Sequence, residues 1–428
     1  MKCKTIKVNN FRNIVSADLS FSDGVNLLWG ENAQGKTNML EAVCFFSLGK
    51  SFRGAKENEF IKFGSKQSDI SLDFSDSVRE QNLKIDFYRD KIKHIEQNGV
   101  KLSRVSEMIG LFRAVLFFPE HLNIIKEGPS MRRSYLDVAI SQLRPVYLRS
   151  LQRYNHILAQ RNKLIKSAPF DRRSFDSTVE FWSSQLAHEA SQITKSRLGY
   201  IDMVQKELKV CFEEMTDGRE TPSIAYDFSI KLKENEIGDV KLMEKAYFSQ
   251  LMSSHDREIS AGATLWGIHK DDLEIRLNGK NARNFASQGQ QRSLALGLKL
   301  AESAISHTAS GEEPVLLLDD VFSELDAGRR QYLTERMKRG QVIMTACGDI
   351  DIAETGADVI YVKNGNFSEK MPDPCSDVSQ NNESENDFEI NYAENTVNDE
   401  ENTDGGYASD VSDENEEIFS VDGEADYN

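Results

Sequence analysis

The 428-residue sequence predicts an α/β fold: a mixed β-sheet with flanking helices, an inserted helical arm and an acidic tail. Three observations predict it. A glycine-rich loop, Gly30-Glu31-Asn32-Ala33-Gln34-Gly35-Lys36-Thr37, joins a short apolar run to an apolar helical stretch. A second apolar run, Val315-Leu316-Leu317-Leu318, ends in Asp319-Asp320. Between the two lies a long region whose apolar residues recur at helical spacing.

Residues 25–29 read as a buried strand and residues 38–48 as a packed helix. The loop between them fits G-x-x-x-x-G-K-[ST], whose backbone N–H groups cradle phosphate oxygens. In such a loop Lys36 reaches the β- and γ-phosphates of ATP, and the Thr37 hydroxyl ligates Mg²⁺. Residues 30–38 form the expected phosphate-binding set, with the helix N-terminus at Asn38 facing the anion.

The middle region reads as two long helices. Pro145 starts the first, which carries Leu151, Tyr154, Leu158 and Ile165. After Ala168-Pro169-Phe170-Asp171 the second starts near Ser174. Val179, Trp182, Leu186, Ala190, Ile193, Ile201, Val204, Leu208 and Phe212 give it one apolar stripe. A short proline turn between such helices predicts an antiparallel hairpin.

Residues 126–173 hold eleven Lys and Arg against three acids. Arg132, Arg133, Arg144, Arg149, Arg153 and Arg161 are therefore candidate contacts to a DNA backbone. The alternative is a solvated face paired with Glu180, Glu189, Glu207, Glu213 and Glu214 of the second helix. No zinc-finger spacing or aromatic nucleic-acid motif appears, so sequence-independent, salt-dependent binding is expected.

Ser287-Gln288-Gly289-Gln290-Gln291-Arg292 opens another apolar helix, 251 residues beyond Lys36. Its start reads either as an ordinary serine cap or as a second anion-binding N-terminus. One nucleotide needs one such terminus, so the spare is a candidate to meet the γ-phosphate held by a second subunit. Asp326 is expected near that junction. Asp319, at a strand tip, is the candidate Mg²⁺ carboxylate, and Asp320 the group that orients or deprotonates the attacking water. Thr345, after the strand expected at Gln341-Val342-Ile343-Met344, is the nearest polar candidate for sensing the γ-phosphate.

Composition bounds the rest. No apolar run reaches membrane-spanning length and there is no signal-peptide pattern, so a cytoplasmic protein is expected. Cys3, Cys44, Cys211, Cys347 and Cys375 are scattered and odd in number, as free thiols are. The net charge of −17 comes from the tail: residues 372–428 hold 19 acids and no Lys or Arg, leaving +2 on residues 1–371. Such a tail is expected to be disordered, as a solubilising extension or as a nucleic-acid mimic that competes for a basic surface.

The phosphate loop, the S-Q-G-Q-Q-R signature and L-L-L-D-D followed by Ser323-Glu324-Leu325-Asp326 resemble the ATP-binding-cassette (ABC-type) ATPases of chromosome maintenance, and within them the RecF family. Asn10-Phe11-Arg12-Asn13 resembles that family's first-strand motif, which adds Arg12 and Asn13 to the expected ATP contacts. Phe118-Pro119-Glu120, Gly128-Pro129 and Arg132-Arg133-Ser134-Tyr135-Leu136-Asp137 resemble its mid-chain block. Gly267-Ile268-His269-Lys270-Asp271-Asp272-Leu273 resembles a further block with a phosphate-contacting role, with Ile268 and Lys270 in place of Pro and Arg. The resemblance covers roughly residues 1–370.

It implies an ABC-type ATPase head of two halves, 1–118 and 263–371, around an arm at 119–262. It further implies an ATP-dependent homodimer, DNA at single/double-strand junctions, and partners of the RecO and RecR type. The aspartate at 320, usual in that family, fits slow turnover. Two other readings stand beside it: the ATPase subunit of a membrane transporter, and a scaffold that binds ATP without hydrolysing it.

Overall fold

The computed structural model describes residues 1–347 and 356–370; the acidic tail, with both of its readings, lies outside the described residues. β1 (Lys2–Phe11) and β2 (Ile14–Ser20) form a hairpin, and β3 (Val25–Trp29) leads into α1 (Lys36–Leu48). β4 (Gln67–Ser75), β5 (Glu80–Tyr88), β6 (His94–Gln97) and β7 (Val100–Leu102) continue as an antiparallel meander. Every second residue of β4 and β5 is buried, as in a sheet with one face on a core. These strands make a six-stranded sheet ordered β2-β1-β4-β5-β6-β7, which the sequence motifs leave unassigned.

β8 (Ala114–Phe117) precedes a helical region: α2 (Asn123–Lys126), α3 (Pro129–Leu143), α4 (Pro145–Ser167) and α5 (Arg172–Thr216). Next come β9 (Pro222–Asp227), α6 (Val240–Ser253), α7 (His255–Ala261), β10 (Asp272–Leu277), β11 (Lys280–Asn281) and α8 (Ala282–Phe285). The chain ends its described course with α9 (Gln288–Ser310), β12 (Val315–Asp319), α10 (Ala327–Met337), β13 (Val342–Ala346), β14 (Asp358–Lys363) and β15 (Asn366–Ser368).

The second six-stranded sheet runs β15-β14-β3-β13-β12-β8 and is parallel except at β15. β12 and β13 are buried along their whole length, as central parallel strands are. Register places Asp319 beside Thr345, and Ala346 beside Trp29. The C-terminal strand ends, where α/β sheets present ligand groups, therefore converge. α1 packs between the two sheets, touching β1 and β4 on one side and β12 and β13 on the other. It has no polar face for that reason: Met39, Leu40, Val43, Phe45 and Phe46 are fully buried, each worth about 1.5–3 kcal/mol.

The helical hairpin forms as the periodicity predicts. Asp171 caps α5 by accepting from the Ser174 amide at 3.0 Å, so the helix starts at Arg172. All of the stripe on α5 is buried except Trp182, which is half-buried. From Trp182 onward that stripe joins one core with Leu27 and Leu316 of the sheet and Leu294 and Leu298 of α9, while Val179 packs with Ile165, Ala168 and Phe175 at the hairpin turn. β9 pairs with β10 across residue 262, so a three-stranded sheet links the helical insertion to the second half of the head. Cys3, Cys44, Cys211 and Cys347 are free thiols, and burial pushes Cys3 and Cys44 well above the usual thiol range. No described helix is long and apolar enough to cross a membrane.

Candidate nucleotide site

A cleft of ≈ 600 Å³ opens where the loop after β3 meets the ends of β12 and β13. Asn13, Asn32, Ala33, Gln34, Gly35, Lys36, Thr37, Asn38, Asp319 and Asp320 line it. The loop is braced from behind: Gln34 accepts from the Asn364 amide through its side chain (2.6 Å) and from the Gly365 amide through its carbonyl (2.9 Å). Gly35 takes φ 112, and a Cβ there would press on the Asn13 amide at 3.0 Å, so the turn requires glycine. α1 starts with no side-chain cap, leaving its first amides to the cleft.

Lys36 is 7% exposed, and its ammonium donates to the Gly30 carbonyl (2.5 Å) and the Glu31 carbonyl (2.6 Å). Burial lowers its pKa, while Asp320 and Asp319 pull the other way. The Thr37 hydroxyl donates to Asp319 Oδ1 at 2.9 Å, and the Thr345 hydroxyl donates to the same oxygen at 2.7 Å. Burial raises the Asp319 pKa against those two hydrogen bonds. A hydroxyl beside a carboxylate is a hard-oxygen pair that suits Mg²⁺. Among the described residues no cluster of three His, Cys, Asp or Glu could cage a metal alone. The pair therefore fits an ion completed by phosphate oxygens and water.

Asp320 sits at φ 49, a left-handed conformation uncommon for a residue with a Cβ. Its amide donates to the Thr345 hydroxyl at 3.0 Å. Thr345 is 2% exposed and is thus committed to Asp319 and Asp320. It positions the two acids and itself lines the cleft, where the sequence expected a polar residue near the γ-phosphate.

Three expectations are corrected. The Arg12 guanidinium makes a bidentate pair with fully buried Glu41 (3.0 and 3.0 Å) and lies over the Phe60 ring, so it does not line the cleft. Arg161 is completely buried: it pairs with Glu258 at 2.7 Å and donates to Ser183 and Thr264, so it cannot meet a DNA backbone. Arg132 is 6% exposed and held by Asp272 at 2.7 and 2.8 Å, which removes it likewise. Arg133 is half-buried and donates to the Asp271 carbonyl, and exposed Arg153 pairs with Glu189. Arg144 and Arg149 are exposed.

The Gly267–Leu273 block lies outside the cleft too. Asp271, fully buried, accepts from Tyr226 (2.6 Å), the Ser229 amide (2.7 Å) and Tyr247 (3.3 Å). Arg197 joins the Ile268 carbonyl (3.1 Å) to Asp137 (2.8 Å). The block is a polar joint that holds α3, α5 and α6 to β9 and β10.

Ser287 and Gln288 are exposed and away from the cleft. Ser287 and Gln290 form a capping box, with Ser287 Oγ accepting at 3.3 Å and Gln290 Oε1 at 2.9 Å. The Gln288 and Gly289 amides have no protein partner among the described residues. Asp326 caps α10, accepting from the Arg329 amide (3.0 Å), and Arg329 donates to Ser293 of α9 (2.6 Å).

Sequence reasoning missed Phe52, Arg53, Phe118, Pro119, Glu120 and Cys347 in the cleft. For 118–120 there was a signal: β8 runs parallel beside β12, so residues just beyond its end emerge at the same sheet edge as Asp319. Arg53, which donates to Asn38 Oδ1 at 3.2 Å, gave none.

A phosphate loop and strand-tip acids on a parallel sheet, with an antiparallel sheet and a helical arm, define an ABC-type ATPase head. The RecF/RecN/SMC N terminal domain model matches residues 2–366. DNA replication and repair protein RecF of Acetivibrio thermocellus is 38% identical over 360 residues, covering 84% of this chain and 96% of its own. That of Thermoanaerobacter sp. (strain X514) is 39% identical over 345 residues, covering 81% and 94%. The solved recombination mediator protein RecF-ATPrS in the RecFOR pathway superposes with TM-score 0.80 at 35% identity, covering 86% of this chain and 97% of its own. An SMC head bound to the C-winged helix domain of ScpA shares the fold alone, at TM-score 0.51 and 15% identity. The chain belongs to the RecF family.

Proposed function

We propose that the chain is an ATP-operated DNA clamp of recombinational repair and replication maintenance. Lys36 and the loop amides bind the β- and γ-phosphates, and Thr37 with Asp319 would hold Mg²⁺ against them. Asp320 orients the attacking water. Two chains face head to tail, and Ser287 and Gly289 of one approach the γ-phosphate bound by the other, with Asp326 beside that junction. ATP then joins both subunits, and hydrolysis removes the link and releases DNA.

The observation that carries this reading is the exposed, amide-bearing start of α9 outside the cleft that holds Lys36. An anion-binding terminus that its own nucleotide does not use suits a partner's nucleotide. Membership of the RecF family favours this over a transporter subunit, and it supports a cytoplasmic place of work beside RecO- and RecR-type mediators. The scaffold alternative differs only in turnover. Sedimentation of the full chain with and without ATP tests the dimer. A single species in both conditions contradicts it, and Ser287→Arg should abolish the ATP-dependent species while leaving nucleotide binding intact.

A further inference from the structure

Phe63 is 97% exposed and Ile92 is 92% exposed, on two neighbouring loops at one end of the antiparallel sheet. We propose that these loops form a contact surface for the exposed end of a DNA strand, with one base against Phe63 and phosphates on Lys62, Lys66 and Lys91. This rests on the DNA-binding reading above and assigns it to a surface other than the arm.

The turn is built to hold its phenylalanine out. Ser65 N donates to the Lys62 carbonyl at 3.0 Å, and Gly64 takes φ 83, the left-handed position a type II turn needs at its third residue. Phe63 occupies the preceding corner. Arg89 fixes the turn from the second loop, donating to the carbonyls of Ser65 (2.9 Å), Ile61 (3.4 Å) and Lys62 (3.5 Å). Its Nε and Nη2 donors are taken up by those carbonyls. Lys62, Lys66 and Lys91 have no carboxylate partner among the described residues, whereas Lys93 pairs with Glu57. Lys91 lies over the Tyr88 ring at 5.6 Å. Asp90 is the one acid within the two loops.

This chemistry selects the occupant. Lysine is depleted at protein–protein contacts, but a rigid exposed aromatic ringed by unpaired lysines suits bases and phosphates. Folding does not need either apolar side chain, since neither is covered. The turn also hangs on the β1–β2 hairpin: Lys62 N donates to the Asn10 carbonyl (2.8 Å), and Arg12 N donates to the Phe60 carbonyl (2.7 Å).

The test uses the full chain with ATP, a blunt duplex, the same duplex with a single-stranded extension, and single-stranded RNA of the extension's sequence. Lys62→Ala/Lys66→Ala/Lys91→Ala should weaken both DNAs and lower the slope of log affinity against log salt by about 2–3. Phe63→Ala should weaken the extended duplex about tenfold and leave the blunt duplex unchanged. Melting temperature and ATP affinity should match wild type in both variants. Wild-type DNA affinity in both variants overturns the surface alone, as does tighter binding of the RNA than of the extended duplex. Absence of DNA binding by the wild type overturns the clamp reading itself.

Discussion

The Thr37 hydroxyl donates to Asp319 Oδ1 at 2.9 Å, joining residues 282 positions apart in sequence. Thr345 donates to the same oxygen at 2.7 Å and accepts the Asp320 amide. One carboxylate thus gathers the phosphate loop, the second strand tip and the next strand. Burial makes its charge costly, which is common where function requires it.

Asp319→Asn should expose that trade. At neutral pH the native carboxylate carries a raised pKa, so its ionised form opposes folding and a neutral amide relieves it. The variant should melt a few degrees higher while affinity for Mg–ATP falls about 10–100-fold. Calorimetric melting and fluorescent-nucleotide titration with and without Mg²⁺ check both halves; lower stability with unchanged affinity contradicts the assignment.

Asp320→Asn should slow hydrolysis by about 10²–10⁴-fold and leave nucleotide binding near wild type. Lys36→Arg should likewise retain some binding and lose turnover. Phosphate release under DNA-saturating conditions distinguishes both from a scaffold, for which neither change matters.

Arg161→Ala should cost about 3–5 kcal/mol, because it leaves Glu258 charged and unpaired in the core. Urea unfolding measures the loss. DNA affinity per folded molecule should not change, the reverse of what a surface contact would give.

His269 gives the fold an acid sensitivity. Its Nε2 meets the Thr264 carbonyl at 3.1 Å, an acceptor, so Nε2 carries the proton and Nδ1 accepts from Tyr154 at 2.7 Å. Burial, with Lys270, Arg133 and Arg161 nearby, lowers its pKa to about 3. An unfolded histidine titrates near 6.5, so between 6.5 and 3 the unfolded chain takes the proton and the folded chain does not. Stability is lost as pH falls through that window, by up to about 1.4 kcal/mol per pH unit. His269→Gln should flatten this slope in urea titrations at pH 6.5 and 5; an equal slope contradicts it.

The phosphate loop, α1, β12 and the α4–α5 hairpin were legible because each is a local pattern: motif, apolar run, helical period. The arm arginines were not. Their partners, Asp272 for Arg132 and Glu258 for Arg161, lie 140 and 97 residues away, and a charge count along one segment cannot see them. Arg12 misled for the same reason, its partner Glu41 being on α1. Phe63 carries no pattern at all; only its exposure in the folded chain marks it.

The composite site is tested most directly by mixing two defective chains. Lys36→Ala removes the phosphate loop's cation, and Ser287→Arg blocks the start of α9. In a head-to-tail heterodimer both defects fall at one junction, and the other pairs an intact Lys36 with an intact Ser287. Neither variant alone should dimerise with ATP, and their mixture should form an ATP-dependent heterodimer by sedimentation. A mixture that stays monomeric while wild type dimerises contradicts a site shared between subunits.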